Sequence, residues 1–134
     1  MQLTTVKKVA SDAMLPVGQL ERIVTAERVN GSAVYSRVGT AVGTIECLLV
    51  DKVSGRITYA IVVVAGTGRD AVRRQALPWS VLTYDPLMGA YLVNLDRKIL
   101  ERGPTFGAGE KVDWNSEALN RRLHDYYSVP HFWI

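Results

Sequence analysis

Cysteine is nearly absent from this chain of 134 residues, with Cys47 the only one. An intrachain disulfide is therefore excluded, and one thiolate cannot build a Cys-rich zinc site. Histidine is almost as scarce, at His124 and His131. They lie seven apart with Pro130 between them, whereas helical metal pairs stand three or four apart. No metal site and no cofactor site is expected. Long apolar runs are missing too. The longest, Tyr59 to Ala65, is far short of the ~20 residues that span a bilayer. After Lys7 and Lys8 the stretch to Leu20 lacks the roughly 7–15 apolar residues of a secretory signal. The expectation is a soluble cytoplasmic protein with no membrane span.

Charge of one sign is also in short supply. The net charge is +3, with sixteen Lys and Arg against thirteen Asp and Glu. The basic residues are scattered, except for Arg69, Arg73 and Arg74. Nucleic-acid modules gather theirs on a stripe, so an RNA or DNA partner is not the leading expectation.

What is present is a core. Hydrophobic residues make up 48% of the chain and charged residues 22%, the balance of an ordinary globular domain. The sequence reads as a mainly β protein: a small antiparallel β-barrel from about Ser32 to Asn94, with a short C-terminal helix and wrapping tails. Three stretches follow from this: an N-terminal leader over 1–25, a barrel over 26–102, and a C-terminal linker, helix and aromatic tail over 103–134.

Local signals give the elements. Thr25 is placed to cap a single turn, Ala26 to Val29, ended by Asn30-Gly31. Strands are predicted at Ala33 to Tyr35, Gly43 to Asp51, Arg56 to Ala65, Val72 to Leu77, Leu82 to Tyr84 and Ala90 to Asn94. Lys52-Val53-Ser54-Gly55 closes one hairpin and Asp85-Pro86-Leu87-Met88-Gly89 a second. Pro78 cannot donate to a ladder and should end its strand. In the strand from Arg56 both alternating side-chain sets turn apolar toward its end, and the strand from Gly43 is similar. Such strands want cover on both faces.

The tail offers that cover. Asn115 or its neighbour is a candidate N-cap, with Trp114 positioned to staple onto Leu119. Leu119 and Leu123 share a face that Tyr126 or Tyr127 extends. Trp114, Tyr126, Tyr127, Phe132 and Trp133 are the candidate interface residues, serving either their own barrel or a second subunit.

Taken in order, Gly43–Asp51, Ser54-Gly55 with the strand to Val62, and Leu77-Pro78-Trp79 with Tyr84-Asp85 resemble the PRC-barrel domain family. The resemblance covers roughly Ala26 to Arg102. It implies the barrel fold and a habit of working as a binding or assembly module, with no shared catalytic residues. Cys47 stands where many relatives carry an acid.

No catalytic cluster is legible. Cys47 lies mid-strand between Ile45 and Leu49 and reads as a packed thiol. Gly66-Thr67-Gly68-Arg69 leads into a strand rather than into a helix that would cradle phosphate. The leading expectation is a non-enzymatic protein-interaction or scaffold domain, a homodimer. The alternatives are a small-ligand protein with a cavity lined by Tyr59, Tyr84 or Tyr91, an RNA- or ribosome-associated protein, and an enzyme built on distant carboxylates among Asp51, Asp85, Asp96 and Glu110.

Overall fold

The computed structural model describes residues 22–64, 72–107 and 109–129. Helix α1 (Ala26–Val29) leads into strands β1 (Ala33–Ser36), β2 (Ala41–Val50), β3 (Ile57–Val64) and β4 (Arg73–Pro78). A 3₁₀ turn (Trp79–Val81) links β4 to β5 (Leu82–Asp85), and β6 (Ala90–Val93) follows. Helices α2 (Arg97–Arg102) and α3 (Glu117–Tyr127) complete the chain. The strands form one curled sheet in the order β4-β3-β2-β1-β6-β5.

Both predicted hairpins are present. β2 pairs with β3 and β5 with β6, each antiparallel. The turns are fixed by an aspartate in each. Asp51 Oδ1 accepts from the Val53 and Ser54 amides, and Asp85 Oδ1 from those of Leu87 and Met88. Gly55 and Gly89 close them at φ of 78° and 66°, a region that costs glycine little.

One pairing departs from the expected all-antiparallel sheet. β1 and β6 run parallel, with Val34 opposite Tyr91 and Ser36 opposite Val93. A long connection through four strands returns the chain beside β1, and a distant pairing of that kind leaves no local sequence signal. Thr25 also differs from its expected part. Its side chain makes no cap bond, and its carbonyl accepts from the Arg28 amide instead. Of the pair that follows, only Gly31 takes a positive φ.

The core is centred on β3. Tyr59, Ala60, Ile61 and Val62 are all buried, so both faces of this strand are covered. Full burial of side chains this size is worth about 1.5–3 kcal/mol each. β2 is less covered than its sequence pattern implies. Ile45 is buried, Leu48 and Leu49 are half-buried, and Val50 is exposed. Register shifts after Ile45 and Leu49 break the alternation there. Gly43 opens the stretch that meets β3 because a Cβ at this point would lie 2.1 Å from the Val63 carbonyl oxygen.

The β4 edge is capped within the chain. Phe106 exchanges two backbone hydrogen bonds with Arg74, at 3.0 and 2.8 Å. The opposite edge is β5, which carries the exposed Tyr84.

Candidate binding surfaces and the family of the chain

Helix α3 begins where expected, with its cap on the neighbour of Asn115. Ser116 is its N-cap, with Oγ accepting from the Leu119 amide at 3.2 Å. With the cap on Ser116, Trp114 stands two residues before it rather than at the staple position. Its ring meets Phe106 edge-on, with centroids 5.3 Å apart. Asn120 then ties the helix start to the sheet. Its Nδ2 donates to the carbonyls of Trp114 and Ser116, and its Oδ1 accepts from the Tyr59 hydroxyl at 2.6 Å. One turn on, His124 is fully buried and packs edge-on to the Tyr59 ring at 5.6 Å. His124 lies in the last turn of α3, at the negative pole of the helix. Burial also pushes the Tyr59 hydroxyl up to about 12.

The candidate interface residues therefore divide. Trp114 is half-buried against Phe106. Tyr126 donates its hydroxyl to the Ile99 carbonyl of α2 at 2.5 Å. Tyr127 is buried, and its hydroxyl is pushed far up by burial. These three touch their own chain. Phe132 and Trp133 lie outside the described residues, as do Gly66 to Arg69 and the leader through Glu21.

Helix α2 and Asn120 were missed by sequence reasoning. Signals for both exist. Asp96 and Gly103-Pro104 bracket α2 with start and stop residues. A mid-helix Asn is disfavoured unless its amide finds partners, which Asn120 does.

Among the described residues two surfaces are of interest. The first is a file of rings. Trp79 lies 5.5 Å from Tyr91, and Tyr91 lies 5.0 Å from Tyr84. Tyr84 is 49% exposed, and on the same hairpin Leu87 is 85% and Met88 49% exposed. The second is a half-open groove of about 460 Å³ between the β2–β3 hairpin and the start of α3. Tyr59 lines it, but Tyr84 and Tyr91 do not. Of the three tyrosines named for a ligand cavity, this groove thus carries one.

Of the four carboxylates singled out for acid–base work, three serve their own turns. Asp51 and Asp85 bind hairpin amides, and Glu110 accepts from the Gly107 amide. Asp96 stands at the α2 N-cap. Cys47 is half-buried, and burial raises its thiol. Arg74 is held by both oxygens of Glu46, at 2.7 and 3.0 Å, and this pairing lowers the Glu46 carboxyl.

With this curled sheet and its ordered hairpins in place, the family can be settled. The PRC-barrel domain model matches residues 21–100. The chain belongs to the PRC-barrel family. Among solved structures, the barrel is similar to a candidate 16S ribosomal RNA processing protein, RimM, of Pseudomonas aeruginosa. That likeness has 20% identity and a TM-score of 0.42, over 63% of this chain. The chain spans half the length of that protein, and so distant a likeness carries no argument about function. No curated protein matches the sequence. Among the described residues, no helix of this PRC barrel is long and apolar enough to cross a membrane.

Proposed function

We propose that the chain is a non-enzymatic assembly module of a reducing, cytoplasmic setting, which self-associates as a homodimer and docks a protein partner through its β5–β6 hairpin. One observation carries this reading. With α3 covering Tyr59, and α2 meeting Tyr126 and Gln75, that hairpin still carries three exposed large apolar side chains, Tyr84, Leu87 and Met88, backed by the ring file. Clustered aromatic and Met side chains are what interfaces favour. The hairpin is stiffened by Asp85, so little ordering is lost on docking.

An RNA strand is the second occupant that a file of rings suits, by stacking. Stacking sites also need a basic track beside the rings. Arg74, Arg97 and Arg121 are instead held by Glu46, Glu101 and Glu117. A protein partner is therefore the reading adopted.

The test compares immobilised wild-type chain with a Leu87→Glu/Met88→Glu variant in native lysate, with and without nuclease. A protein retained by wild type despite nuclease, and at least about tenfold less by the variant, is the expected result. Retention abolished by nuclease moves the function to nucleic acid. Equal retention by both proteins removes the hairpin from the reading.

A further inference from the structure

The ring file holds three hydrogen-bond donors with nothing to bond to. Trp79 and Tyr91 pack against the core and are half-buried, and Tyr84 is half-exposed beside them. Among the described residues, neither the Trp79 indole N–H nor the Tyr84 and Tyr91 hydroxyls have a partner, and none of the three is sealed from water. A packed Trp or Tyr ordinarily pairs its polar tip. An aromatic floor edged by free donors suits an occupant that brings apolar surface and unbonded acceptors together.

Charge narrows the choice. From Trp79 to Leu95 the one charged residue is Asp85, and its carboxylate accepts from the Leu87 and Met88 amides. A phosphorylated or acidic segment, or a nucleic-acid strand, would find no cation on this stretch to meet its charge. The occupant that matches it is uncharged.

The recurring modes of peptide recognition then separate by their hydrogen bonds. An added strand needs the edge of β5. That edge is four residues long, and its Leu82 amide already donates to the Trp79 carbonyl. A docked helix bonds its own carbonyls internally, so it leaves the three donors unanswered. A polyproline II segment answers them. Its carbonyls have no internal partner, and its prolines carry no amide that needs an acceptor. The reach agrees as well. Successive ring centroids are 5.5 and 5.0 Å apart, so the file extends at most about 10.5 Å, and one turn of polyproline II advances about 9 Å. Two prolines three residues apart fit over its two ends.

We propose that Trp79, Tyr91 and Tyr84 form a docking site for an uncharged, proline-rich segment of a partner protein, its pyrrolidine rings on the aromatic faces and its carbonyls on the three free donors. The inference rests on the hairpin-docking reading above and names the chemistry of the partner.

A labelled decaproline peptide, which is polyproline II in water, tests it by fluorescence anisotropy on the full chain, with a Gly-Ser peptide of equal length as control. Saturable decaproline binding, at least tenfold stronger than the control, is expected. A Tyr84→Phe/Tyr91→Phe variant keeps both rings and removes two donors, so it should bind at least about tenfold more weakly. Decaproline binding no stronger than the control overturns the inference. Undiminished binding by the phenylalanine variant overturns the assignment to these donors. A single-stranded uridine oligonucleotide that binds more tightly than decaproline overturns it in favour of nucleic acid. The lysate experiment reads separately. A captured protein that depends on Leu87 and Met88, with no decaproline binding, defeats the proline-rich chemistry and leaves hairpin docking standing. Decaproline binding with equal capture by both lysate baits supports the ring file and removes the hairpin tip.

Discussion

Tyr127 sits where a side chain at Gly103 would have to go. A Cβ there would lie 2.6 Å from the Tyr127 hydroxyl oxygen, which is buried and has no hydrogen-bond partner among the described residues. Gly103→Ala therefore forces either α2 or α3 to shift. We expect a loss of about 1–3 kcal/mol in urea unfolding, the usual cost of overpacking. Tyr127→Phe removes a buried hydroxyl with nothing to bond, so it should be neutral or stabilising. The double variant should recover part of the loss, because the colliding oxygen is gone. Tyr59 gives a pH signature. Its hydroxyl is held at about 12 by burial, above the unfolded value near 10. The folded state then keeps a proton that the unfolded chain loses, so stability is intact below pH 10 and declines as pH rises toward 12. Burial of Tyr127 acts in the same direction. Denaturant titrations across that window should show a shallower decline for Tyr59→Phe than for wild type.

At the scale of elements, α3 is a cover for the sheet. It supplies Asn120 and His124 to Tyr59, and Leu123 and Tyr127 to the common core. A chain ending at Gly109 loses all four. It should aggregate or bind a hydrophobic dye, with native strand content but broadened side-chain signals. A soluble, sharply folded product would show that the sheet needs no such cover. The strands were legible in the sequence because their signals are local. Asp51 with Gly55 and Asp85 with Gly89 mark turns, and the doubly apolar run through Val62 announces a strand buried on both faces. The parallel β1–β6 pair was not legible, since Val34 and Tyr91 meet only through the whole fold. The cover was half legible. Leu119, Leu123 and Tyr127 showed a helical face and the cap fell on the neighbour of Asn115, but Trp114 meets Phe106. Nothing local revealed that Asn120 would be the joint between helix and sheet.

At the scale of the whole molecule, the sheet covers part of its apolar surface with its own helices, and Tyr84, Leu87 and Met88 on the β5–β6 hairpin stay exposed. The candidate aromatic residues were found by composition, and which of them cover their own chain depends on geometry that composition lacks. Trp114, Tyr126 and Tyr127 are engaged with Phe106, Ile99 and the core. Self-association is the claim on which the functional reading turns. Mass-resolved size exclusion of the full chain over a wide dilution series tests it most directly. A dimer that gives way to monomer only on dilution is the expected result. A monomer mass at every concentration would contradict it.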